Sequence, residues 1–269
     1  MMPSMSATTA KQRGFTLAEV AVVVLIVGLL LGGLLGTYST QIDLSRTAET
    51  KKTLESARDA LIGFAAANGR LPCPATVNPP HATTSNGVEA PLGGGACTVS
   101  GGGMPGLGFF PAATLALTPT DSQGYLIDSW GNRIRYAVTN SGTPPAEFTT
   151  LGQIRAGLLD GLTTTPSPDL HICTTANVPP PLPGVGTSTA ACVNTATTLT
   201  TSAVAVIFSV GKNGATGGTG ADESKNLDND RVFISHEPTP ASAAGGEFDD
   251  IVIWLSPSIL YNRILSGGL

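Results

Sequence analysis

The 269 residues carry only 12% charged side chains but 33 glycines and 20 prolines, a mixture that suggests a loop-rich, exported domain with few surface ion pairs. The formal charge of −5 becomes −7 without Lys11 and Arg13, which argues against nucleic acid as a partner. With three histidines (His81, His171 and His236) and no CxxC pair, a zinc site is not expected.

From the N-terminus, Lys11, Arg13 and Gly14 run straight into Phe15-Thr16-Leu17-Ala18-Glu19, and from Val20 to Ile42 no residue is charged. That run covers the ~20 apolar residues a helix needs to cross a bilayer core. Cations ahead of it predict a cytoplasmic N-terminus with the bulk of the chain outside. An acid at the head of a span costs roughly 2.5–3.5 kcal/mol, so Glu19 is either a tolerated interfacial carboxylate or a functional one with a partner. A secretory signal would place its cleavage site after the apolar core. Here the break lies before it, at Arg13-Gly14, so cutting there keeps the apolar segment.

Gly14, Phe15, Thr16, Leu17 and Glu19, followed by that apolar run, resemble the start of the type IV pilin superfamily, which includes the pseudopilins of type II secretion. The resemblance covers about a tenth of the chain. It implies cleavage between Gly14 and Phe15 by a prepilin peptidase, N-methylation of Phe15, and an ion pair from Glu19 to the new amino terminus of a neighbouring subunit. Gly28, Gly32 and Gly36, every fourth residue, are candidates for close helix packing within an assembly.

No proline falls between Pro3 and Pro72, so one helix is expected from Phe15 to about Ala67, roughly 80 Å at ~1.5 Å per residue. Its outer part is amphipathic, with Leu54, Ala57, Leu61 and Phe64 on one face, and Asn68-Gly69 supplies a stop. Residues 1–14 are thus read as a leader, 15–42 as an assembly and membrane helix, 43–70 as its continuation, and 71–269 as the head. Pro74 to Gly108 reads as a long loop, Phe109 to Leu117 as a short helix, and Asp128 to Asn132 as a turn before a strand at Ile134 to Val138. Thr163 to Thr201 reads as an inserted surface loop. Strands are expected at Ala203–Val210, Arg231–Ser235 and Asp250–Leu255, then a final helix from Ser258 to Leu265. The fold class expected is α+β, a long helix packed on a small antiparallel sheet with long loops.

Four cysteines allow three pairings. Cys73–Cys97 and Cys173–Cys192 are expected, because each pair brackets its own Gly/Pro/Thr-rich loop. Glycine-rich residues 211–220 are followed by Asp222, Glu223, Asp228, Asp230, Asp249 and Asp250. The runs VGKNGATGG and FDDIVIW resemble the calcium loop and ending of the major pseudopilin, and DSWGNRIRYAV its Trp-Gly turn and following strand. Asp228, Asp230, Asp249 and Asp250 are therefore candidate calcium ligands, with solvated loop acids as the alternative. No other cofactor is expected. Neither GxxxxGK[ST] nor GxSxG occurs, and catalysis is not expected.

Together these features predict a non-enzymatic, minor pilin-like or pseudopilin subunit of a pilus or type II secretion filament. Its partners would be other such subunits, the peptidase and the inner membrane. A different reading is a filament-tip module whose loops Pro74–Gly108 and Thr163–Thr201 contact a receptor, DNA or secreted substrate.

Overall fold

The structure is a computed structural model. It describes residues 14–76, 86–97, 104–140, 146–159, 168–176, 192, 195–218 and 220–266, with the side chains at 31 and 33–40 excepted. The chain divides into two compact units, residues 1–45 and residues 46–269. Helix α1 (Leu17–Asn68) supplies the described helix of the first and opens the second. It ends where Gly69 turns left-handed at φ +67°, donating its N–H to Ala65 O at 2.8 Å, while Asn68 Nδ2 caps Phe64 O at 2.9 Å.

In the second unit the elements follow as β1 (Leu107–Phe109), α2 (Ala112–Leu115), β2 (Arg135–Val138), α3 (Gln153–Leu159), β3 (Leu170–Cys173), β4 (Thr198–Ala203), β5 (Ala205–Ser209), α4 (Ala221–Asn226), β6 (Val232–Ile234), β7 (Ile251–Leu255) and α5 (Pro257–Ser266). An antiparallel sheet has the order β1-β2-β5-β7, with Tyr136 opposite Ile207 and Ile207 opposite Ile253. A second sheet, β4-β3-β6, is mixed, since β3 runs antiparallel to β4 and parallel to β6. The α+β class expected from the sequence is thus present, with one sheet more than was expected.

β5 explains the layering. All five of its residues are buried, as an unbroken apolar strand requires cover on both faces. Ala205 and Ile207 join Leu54, Ala57, Leu61 and Ala65 of α1 in one core, together with Leu260 and Ile264 of α5. Val206 and Phe208 face the other way and meet Leu170, Ile172 and Phe233 of the second sheet. Phe64, expected on the buried face, is only half-buried and carries the Arg70 guanidinium over its ring at 5.1 Å.

Two further sequence expectations change here. The segment Thr163–Thr201 is not simply an inserted loop: it holds β3 and the start of β4. The helix expected at Phe109–Leu117 shrinks to Ala112–Leu115, because Phe109 pairs with Arg135 in the sheet. In the region 71–108, Cys73 is bonded to Cys97, and a bidentate ion pair reinforces that closure. Arg70 Nη1 and Nη2 reach Glu89 Oε2 and Oε1, each at 2.7 Å, and Glu89 also accepts Cys73 N–H and Gly93 N–H. Both partners are buried, so each neutralises a charge that would otherwise be stranded.

Candidate functional site

At the start of α1 the sequence Thr16-Leu17-Ala18-Glu19 forms a capping box. Thr16 donates its N–H to Glu19 Oε2 at 2.9 Å and its hydroxyl to the same oxygen at 3.0 Å, while Glu19 N–H donates to Thr16 Oγ1 at 3.3 Å. Two backbone N–H groups at the helix start are satisfied together. The reciprocal role of Thr16 is written in the sequence as T-x-x-E, a capping signal that the sequence expectations above do not use.

Around this box the helix presents uncovered apolar surface. Phe15 is 86% exposed and Leu17 90%, and Val20, Val24, Leu25 and Leu29 are also exposed. A Cβ built on Gly28 or on Gly32 would meet nothing within 4 Å, so no neighbour among the described residues requires glycine there. Gly36 lies among the residues whose side chains are not described, and Lys11 and Arg13 lie outside the described residues. Among the described residues no helix is long and apolar enough to cross a membrane. The charge-free run Val20–Ile42 passes through positions 31 and 33–40, whose side chains are not described.

A second constellation lies in the head. Glu223 on α4 and Asp249-Asp250 ahead of β7 bring carboxylate oxygens within 4.8 Å of one another. Asp249 Oδ2 accepts the N–H groups of Lys212 and Asn213 at 3.0 and 3.2 Å, and Asn213 Nδ2 donates to both oxygens of Glu223. Asp250 Oδ2 accepts from Asn226 Nδ2 at 2.7 Å. Asp228 and Asp230 stand apart from this group: both pair with Lys225, whose ammonium reaches Asp228 Oδ2 at 2.6 Å and Asp230 Oδ2 more closely still. The four candidate ligands read from sequence therefore fall into two sets. Glu223, which accepts Asp249 N–H from 26 residues away, joins Asp249 and Asp250. No local spacing could have shown that.

Burial is the main force on these acids. It pushes Asp249 up to about 6 against the downward pull of Asn213 N–H, with the negative charges of Glu223 and Glu247 adding to the rise. It pushes Asp250 up to about 7, helped by Glu223 and Asp249 and opposed by Asn226. The residues present fit a hard divalent cation on three observations. The donor set is all oxygen. Asp249 Oδ1 and Asn213 Oδ1 are buried with no hydrogen-bond partner among the described residues. The chain around the cluster leaves no room for Cβ atoms: one on Gly211 would lie 2.0 Å from Asp249 Oδ1, and one on Gly218 2.8 Å from Glu223 Oε2.

The turn before β2 is tied to the same region. Asp128 Oδ1 accepts Trp130 N–H and Asn132 N–H, its Oδ2 accepts the Ser209 hydroxyl at 2.6 Å, and Asn132 Nδ2 reaches Gly211 O at 2.6 Å. The other cysteine pair, Cys173 and Cys192, is bonded beside β3.

Residues 9–35 match the family model described as the prokaryotic N-terminal methylation motif. They carry the prepilin-type signal of type IV pilins and pseudopilins, and the range includes Gly14, Phe15 and Glu19. That motif supports a pilin-like or pseudopilin precursor, and it suggests a structural rather than an enzymatic subunit. Searches of the curated proteins and of the solved structures returned no match.

Proposed function

We propose that the chain is the precursor of a minor, non-enzymatic subunit of a type IV pilus or type II secretion filament. A prepilin peptidase cuts between Gly14 and Phe15 on the cytoplasmic side, Phe15 is N-methylated, and the Val20–Ile42 run holds the subunit in the inner membrane with the head outside until assembly. The observation that carries this reading is the methylation motif over residues 9–35. In the uncut chain Glu19 is satisfied by Thr16. Cleavage creates an α-amine, and the attraction between a cation and a carboxylate in low dielectric gives Glu19 of a neighbouring subunit a stronger partner. Gly28, Gly32 and Gly36 then let neighbouring helices approach.

Expression with and without a prepilin peptidase tests this reading. With the enzyme, the intact mass should fall by that of residues 1–14 and rise by one methyl group on Phe15. Retention of residues 1–14 in its presence, or a cut elsewhere, would overturn it.

The carboxylate group supports a second role within the same function. Glu223, Asp249, Asp250 and the Asn213 side-chain oxygen are the residues that would hold a calcium ion, which would neutralise their mutual repulsion and stiffen the approach to β7. The tip-binding alternative rests on the segments Pro74–Gly108 and Thr163–Thr201, of which residues 77–85, 98–103, 163–167, 177–191 and 193–194 lie outside the described residues.

A further inference from the structure

Among the described residues the two sheets end in four edge strands, β1 and β7 of one and β4 and β6 of the other. Three of these edges are covered or polar. At β1, Phe109 donates its N–H to Ala75 O at 3.1 Å and accepts Ala75 N–H at 2.9 Å. At β6 the Asn226 side chain stands in for a strand: Ile234 N–H donates to its Oδ1 at 2.6 Å, and its Nδ2 donates to Ile234 O at 3.2 Å. Asp230 Oδ1 accepts the N–H of Val232 on the same edge at 2.7 Å. β4 is mostly threonine and serine, which suits an edge in water.

β7 is different. Its sequence Ile-Val-Ile-Trp-Leu has no charge, proline or glycine, the devices that keep an edge from pairing. Thr139 N–H donates to Val204 O, which sets the alternation of the ladder. Val206 and Phe208 of β5 bond to β2, while Ala205, Ile207 and Ser209 bond to Leu255, Ile253 and Ile251. The N–H and C=O groups of Val252 and Trp254 therefore point away from the sheet. Among the described residues no group bonds to them.

We propose that β7 is a strand-pairing edge whose occupant is β7 of a second copy, laid antiparallel so that two four-stranded sheets become one. The outward groups fix the register. Val252 pairs with Trp254 of the second copy, and Trp254 with its Val252, which satisfies the outward N–H and C=O groups of both copies. Ile253 then faces itself across a two-fold axis, and Ile251 faces Leu255. Every facing pair is apolar, and a β-branched residue opposite an aromatic one is a favourable cross-strand match. Asp250 falls opposite Ser256 and Asp249 opposite Pro257, so no carboxylates meet. A two-residue slip either way sets Asp250 against Trp254 or Ser256 against Val252. An apolar strand matched end to end only by itself singles out a second copy. The contact lies in the head and needs neither leader cleavage nor Glu19, so its failure would leave the assembly through α1 untouched.

Amide exchange on the full chain in detergent, followed against protein concentration, tests this on the unmodified protein. Val252 and Trp254 should gain about tenfold protection between about 1 and about 100 μM by mass action, while Ile253, bonded to β5, stays protected throughout. Association through α1 alone would leave both amides fast. Ile253→Cys gives a second readout, since all four native cysteines are bonded and the added thiol lies opposite its own copy at a spacing a disulfide spans. Mild oxidation should give mainly covalent dimer. Adding Trp254→Pro, which removes an outward N–H and no bond to β5, should cut the yield at least about fivefold. Val252→Cys, offset from its own copy by two residues, should stay monomeric. Protection of Val252 and Trp254 that does not change with concentration would overturn the pairing, whether both amides are fast or both are covered within one copy. Equal dimer yields from Ile253→Cys and Val252→Cys would overturn it too, as random collision. Protection that appears only when a different protein is added would overturn the second copy and assign the edge to a foreign strand.

Discussion

The two units treat apolar side chains in opposite ways. In residues 46–269, Leu54, Ala57, Leu61 and Ala65 of α1 are fully buried. In residues 1–45, Leu17 is 90% exposed and Leu29 71%, on the same helix. Burial contributes roughly 25 cal/mol per Å² of apolar surface, so the inner residues stabilise the protomer and the outer ones contribute nothing to it alone. Under the proposed function, their cover comes from lipid or from another subunit. Substitutions along one helix should therefore report on folding in one unit and on assembly in the other.

The largest effect expected in the head is from Arg70→Ala. It strands the buried Glu89 carboxylate, and should cost about 3–5 kcal/mol in denaturant unfolding. Leu61→Ala should cost about 2–5 kcal/mol, since Leu61 is fully buried in the core that β5 shares. Either result close to zero would break the contrast between the units. Next comes the carboxylate group. Asp249 and Asp250 hold their protons more tightly folded than unfolded, where an aspartate titrates near about 4. Their contribution is therefore fully present below that range and is lost as pH rises through about 6 to 7. Thermal melts in chelator should show stability declining across this window, and calcium should remove the decline; a melt insensitive to calcium at pH about 8 would count against the cation.

Smaller effects belong to the first unit. Thr16→Val breaks the capping box and should cost about 1 kcal/mol of local helix stability, read as faster amide exchange at Leu17–Val20. Gly28→Ala with Gly32→Ala should strengthen the helix by about 0.5–1 kcal/mol per site, while reducing incorporation into filaments. Incorporation unchanged by the pair would remove the packing role assigned to these glycines. Leu29→Ala should leave unfolding of the head unchanged.

What the sequence disclosed follows the same division. Long signals were legible: the charge-free run, the spacing of Leu54, Ala57 and Leu61, and the apolar run at β5. Among the short elements, β2 and β6 were legible too, but others were not. β1 is three residues with a glycine at its centre, and α4 is Ala-Asp-Glu-Ser-Lys-Asn, with no apolar period to mark it. β4 reads Thr-Leu-Thr-Thr-Ser-Ala, a polar string whose β-branched threonines suit an edge strand only once β3 is beside it. The carboxylate group was half visible. Adjacent Asp249 and Asp250 stand out in the sequence, but Glu223 joins them through the fold, and Lys225 claims Asp228 and Asp230.

Incorporation of tagged Glu19→Val, co-expressed with wild type and the peptidase, tests the central claim most directly. The variant should lose its leader and remain in the membrane, yet be depleted at least about tenfold from sheared filaments, as expected when a buried amine loses its counter-ion. Recovery of the variant in filaments at the wild-type level would contradict the pairing of Glu19 with a neighbouring amino terminus.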